Sequence, residues 1–71
     1  MKSISPLMAA SMAADTFEAA ARAFDVDLEM VAELEAKQAH AELAICRRNL
    51  AESREAFDAA KAALVAALAK V

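Results

Sequence analysis

Glycine is absent from this 71-residue chain and proline occurs once, so the residues that make tight turns and strand bulges are almost wholly missing. Tryptophan and tyrosine are absent as well, and there is one cysteine and one histidine. Each absence removes a class of protein. Without glycine there is no phosphate-cradling loop of the P-loop or dinucleotide type. A lone cysteine closes no internal disulfide, which points away from small secreted scaffolds and toward a reducing compartment, so a cytoplasmic location is expected.

The catalytic constellations that need several titratable groups are missing too. His40 has Ala36, Lys37, Leu43 and Ala44 three and four residues away, none of which ligates a metal with it, and the Glu-x-x-His pattern of di-metal bundles is absent. No metal, cofactor or catalytic residue is assigned, and the chain is not expected to be an enzyme. A net charge of −3, a pI near 5.0 and the lack of a basic aromatic platform argue against a nucleic-acid partner. The longest uncharged run, residues 3–14, is too short to cross a bilayer. Ser11-Met12-Ala13 resembles a signal-peptide cleavage site, but Ser5, Pro6 and Ser11 interrupt the apolar stretch, so neither membrane insertion nor export is expected.

What remains is helix-forming. Hydrophobic residues make up 61% of the chain, yet 22 of them are alanine, which favours helix while burying little surface. The larger apolar inventory is modest for a chain whose single core supplies only about 3–5 kcal/mol without disulfide, metal or oligomerisation. An all-α fold that gains stability by association is the expectation.

Ser5 followed by Pro6 is a helix start: the serine oxygen accepts from an orphan backbone N–H, and proline at the first helical position loses no hydrogen bond. The single domain, residues 1–71, is then divided into a flexible lead over 1–5, a first helix over about 6–24 and a longer second helix over about 27–70. Asp15-Thr16-Phe17-Glu18 resembles an internal capping box and offers Thr16 as an alternative start. The break is placed at Phe24-Asp25-Val26-Asp27, because these residues are weaker helix formers than their neighbours. Asp27 is a credible N-cap there, with Val26 and Val31 as a hydrophobic staple. With no glycine or proline in that segment, one continuous helix is the alternative.

The second helix carries two stripes. Val31, Leu34, Gln38, Ala41 and Ile45 form the first. Leu43, Leu50, Phe57, Leu64 and Val71 recur every seven residues, with Cys46, Ser53 and Ala60 between them, and form the second. A first helix ending near residue 24 covers only the early stripe, so the later one is expected to pair with another chain. The fold class is therefore a helical hairpin, shorter helix first, assembling as a coiled-coil-like homo-oligomeric bundle, with a dimer the expected size. The interface is Leu43, Cys46, Leu50, Ser53, Phe57, Ala60, Leu64 and Val71, and Cys46 packs there as an inert small residue.

Beside that seam runs a basic row, His40, Arg47, Arg54 and Lys61, whose expected role is pairing with acids across the seam. Charge is divided unevenly: residues 15–35 hold seven acids and Arg22 as the one base, while residues 36–71 hold six bases and four acids. A solvated helix face is the expected role of the acidic front. Met8 and Met12, adaptable thioethers next to Asp15 and Glu18, are the candidate contacts for a larger protein target. The reading that follows is a small non-enzymatic helical adaptor, regulator or inhibitor, self-associating through residues 43–71, of a kind that suits a bacterial or phage accessory protein. The competing reading is a structural subunit of a helical or ring assembly, such as a virion or secretion component.

Overall fold

The computed structural model describes residues 5–71, which form two helices packed against each other, α1 over Pro6–Lys37 and α2 over His40–Leu68. No strand is present among the described residues. Of the lead expected to be flexible over 1–5, residues 1–4 lie outside the described residues, and Ser5 is held as the cap of α1. Its Oγ accepts from the Met8 N–H at 3.1 Å, Pro6 opens the first turn, and the Ala9 N–H donates to the Ser5 carbonyl at 2.9 Å. The helix start read from Ser5-Pro6 is thus the observed one.

The expected break at residues 24–27 is corrected: α1 runs through it without interruption. Asp25, Val26 and Asp27 each lower helix propensity by only a few tenths of a kcal/mol, and tertiary packing overrides such preferences. The packing pattern explains the continuity. Ala10, Ala13, Phe17, Ala20, Phe24, Asp27, Val31 and Leu34 alternate at three and four residues straight through the segment, and all are buried or half-buried. Asp27, expected as an N-cap, sits mid-helix at the seam. Thr16 is no start either; its hydroxyl donates to the Met12 carbonyl at 3.1 Å, one turn back along the same helix.

The chain turns instead at Gln38 and Ala39. Gln38 has φ 56° and ψ 36°, the left-handed region. Its N–H donates to the Glu35 carbonyl at 3.2 Å and the Ala39 N–H to the Leu34 carbonyl at 3.1 Å, which together make a Schellman motif. Lys37, in the last turn of α1 and ion-paired to Glu33 at 3.0 Å, adds a favourable charge at that helix end. α2 then begins directly, with Ala39 offering no side-chain acceptor and Glu42 in the positive first turn.

Moving the turn from residue 25 to residue 38 changes what covers α2. With 32 residues α1 is about 48 Å long, and α2 with 29 is about 44 Å, so the first helix spans the whole of the second. The stripe expected to be bare is covered within the chain. Leu43 and Ala60 are buried, as are Ala10 and Val31 on α1. Cys46, Leu50, Ser53, Phe57 and Leu64 are half-buried, and the Phe57 ring packs against both Phe17 and Phe24, at centroid distances of 5.1 and 5.3 Å. Val71 lies beyond α2 and is 68% exposed, outside the seam to which its spacing assigned it. The early stripe is corrected as well: the turn separates Val31 and Leu34 from Ala41 and Ile45, and Ile45 is 63% exposed.

The result is a thin rod, 54 × 17 × 15 Å, with a radius of gyration of 16.1 Å against about 11 Å for a compact domain of this length. No described side chain is completely enclosed. Two helices share one seam, and every other face of each meets solvent.

Candidate functional site

The flank of the hairpin on which α1 and α2 approach each other beside Leu28 is not filled. An open groove of about 430 Å³ lies there. Phe24, Leu28 and Leu50 make it apolar, Arg47 and Arg54 contribute positive charge, and Glu55 and Asp58 contribute negative charge. Leu28 is 43% exposed although it borders the seam.

Helical geometry shows why the groove forms. On α1, Leu7, Ala14, Ala21, Leu28 and Glu35 recur every seven residues along this flank. The row of α2 that runs beside it is His40, Arg47, Arg54 and Lys61. Near the turn the two rows meet in an ion pair, Arg47 Nη2 to Glu35 Oε2 at 3.1 Å, with both side chains more than half exposed. Farther from the turn the acid is replaced by Leu28 and then by two alanines, which leave space beside the seam. Among the described residues Arg47 is the one member of the basic row in an ion pair. The row was expected to pair with acids across a seam between chains; Arg47 pairs instead with Glu35 of its own chain, and Arg54 lines the groove without an ion pair among the described residues.

Met8, Met12, Asp15 and Glu18 are all exposed on the first half of α1, but they do not converge with the groove. Met8 and Asp15 lie seven residues apart on the outermost line of the helix, while Met12 and Glu18 lie to either side of that line. The signal for the groove was present in the sequence as the heptad spacing of Leu28 and Glu35, and it was masked by assigning those residues to the longer second helix. Among the described residues no group of His, Cys, Asp and Glu side chains comes together as a metal site. No helix among them is long and apolar enough to cross a membrane.

The groove is open to solvent and bordered by charges of both signs. Such a surface accepts an apolar side chain presented from outside and pairs charges around it, as helix-in-groove recognition does. Comparison with family models, curated proteins and solved structures returned no match to this chain.

Proposed function

We propose that the protein is a small non-enzymatic adaptor, regulator or inhibitor that holds an amphipathic helix of a larger protein along the groove beside Leu28. The carrying observation is the groove itself: apolar surface from both helices, left open next to Arg54, which has no ion-pair partner among the described residues. A helix bearing an apolar stripe flanked by acids fits that arrangement. A cytoplasmic setting suits a chain with one half-buried thiol. Self-association through the seam of residues 43–64 would require the hairpin to open, because α1 occupies that seam.

The test is affinity capture with three proteins: the native chain, Leu28→Glu combined with Arg54→Glu, and Met8→Ser combined with Met12→Ser. Capture of a partner by the native and methionine variants but not by the groove variant supports the reading. Equal recovery by all three removes the groove from it.

One observation favours the structural-subunit reading. The end of the rod opposite the turn exposes Leu7, Leu68 and Val71, suited to end-to-end contact. Light scattering separates the two: open growth with concentration favours the subunit, and a finite particle favours the adaptor.

A further inference from the structure

We infer that the hairpin opens at Gln38-Ala39 and that opened chains join one to the next, α1 of each copy lying on α2 of its neighbour, in an assembly that grows without closing. The structure already shows what covers each stripe laid bare by opening. Phe57 meets Phe17 and Phe24 of its own chain in the hairpin, at 5.1 and 5.3 Å between ring centroids, and meets the same two residues of a second copy in the assembly. The whole seam is remade in this way, so the two forms differ only at the turn. This capacity for exchange is separate from the groove and does not rest on it.

The turn gives the reason that the chain opens. Gln38 and Ala39 alone make it, and neither is glycine or proline. Gln38 is the one residue with positive φ among the described residues, at 56°, where its Cβ crowds the backbone. The stretch from Glu35 to Glu42 consists mostly of strong helix formers, so once the turn straightens one helix runs from Pro6 to Leu68. Ala39 gives α2 no side-chain cap, and the first N–H groups of that helix have few partners, whereas in a continuous helix each meets a carbonyl four residues back. Parting the seam uncovers no completely enclosed side chain among the described residues. A short hinge that relaxes on opening is the usual setting for exchange of elements between copies.

Phase decides what the opened chains build. The seam stripe of α1 passes through Phe24 and Val31, seven residues apart, and that of α2 through Leu43 and Leu50, again seven apart. From Val31 to Leu43 the step is twelve, where seven or fourteen would keep one face. In a straight helix twelve residues leave the two stripes roughly 120° apart, and at the 3.5 residues per turn of a supercoiled pair about 150°. Two opened chains bury both stripes against each other only when the stripes share a face. Here each chain turns its α2 stripe to one neighbour and its α1 stripe to another on nearly the opposite side. Every such contact sets α2 of one copy on α1 of the next and leaves a free stripe at each end, which is the condition for open growth. Within one chain the linked halves stay at high effective concentration, so the hairpin is the dilute form and the assembly the concentrated one.

Light scattering from the full native chain, warmed briefly at rising concentration and measured after cooling, is the test. Single chains of 7.5 kDa are expected when dilute and open growth when concentrated. Gln38→Gly, which eases the left-handed turn, should raise the concentration at which growth begins by about two- to five-fold. Gln38→Val, whose branched Cβ fits poorly at positive φ, should lower it. Two alanines inserted between Gln38 and Ala39 make the step from Val31 fourteen and should stop the particles at twice 7.5 kDa. Single mass for the native chain and Gln38→Val at every concentration overturns the inference. A finite native dimer overturns it too, as does open growth that survives the insertion, because either contradicts the opposed faces. Growth that begins at the same concentration in the native chain and in Gln38→Gly overturns opening at this turn, since intact hairpins are then joining by their ends. Should Gln38→Val lose its helicity, that comparison of the native chain with Gln38→Gly decides.

Discussion

The Phe57 ring lies 5.1 Å from the ring of Phe17, centroid to centroid, with the planes tilted by 38°. Phe17 belongs to α1, and Phe57 was expected to serve an interface between chains. Together with Phe24 it joins the three phenylalanines of the protein into one cluster across the hairpin. Phe57→Ala removes two aromatic contacts and most of the bulk at the middle of the seam. It should lower stability by about 3 kcal/mol, below the full range for a wholly enclosed ring because Phe57 is half-buried. Urea unfolding followed by circular dichroism measures this, and a change under 1 kcal/mol, roughly the effect of an ordinary surface substitution, would contradict the seam.

Gln38 holds the left-handed conformation at the turn with a Cβ that crowds the backbone there. Gln38→Gly should raise stability by about 0.5–1 kcal/mol, after allowing for the extra freedom of glycine in the unfolded chain. Gln38→Ala keeps the Cβ and should bring no such gain. Thermal unfolding of the two variants beside the native chain checks the difference, and equal midpoints for both would show that the turn stores no strain.

Asp27 occupies a seam position between Phe24 and Val31, half-buried, in the middle of a continuous helix. A carboxylate at such a place gives up hydration and contributes little apolar contact. Asp27→Leu should therefore stabilise the hairpin, by about 1 kcal/mol on combining better helix propensity with added apolar burial. Destabilisation in urea titration would mean that the carboxylate has a structural partner.

The Arg47–Glu35 ion pair joins the helices near the turn, with both side chains more than half exposed. A double-mutant cycle with Arg47→Ala and Glu35→Ala should give a coupling of about 0.5 kcal/mol, in the range of surface pairs. The coupling should shrink as salt is added. A coupling that is large and insensitive to salt would place the pair in a drier setting than its exposure indicates.

The all-helical class followed from composition, because a chain without glycine and with 22 alanines has few ways to make strands or sharp loops. The start at Ser5-Pro6 was equally local, since capping needs only one side-chain oxygen and one missing N–H. The stripe from Leu43 to Leu64 was visible as a period, and a period states that a face is to be covered without stating by what.

That remaining choice depended on where the chain turns, and nothing local marks Gln38-Ala39 as a turn. Gln38 is a good helix former, and it takes a left-handed conformation because the Schellman hydrogen bonds and the closing of the seam outweigh its own preference. The weak helix formers at 24–27 looked like the break, yet they lie in phase with a seam that draws much of its contact from alanine. Small side chains show a core position faintly in this sequence, because alanine stands on the exposed faces of both helices as well as along the seam. Apolar period and helix preference are properties of one strand of sequence; the pairing of Phe57 with Phe17, the ion pair of Arg47 with Glu35 and the groove beside Leu28 each need two helices held in register, which only the tertiary structure supplies.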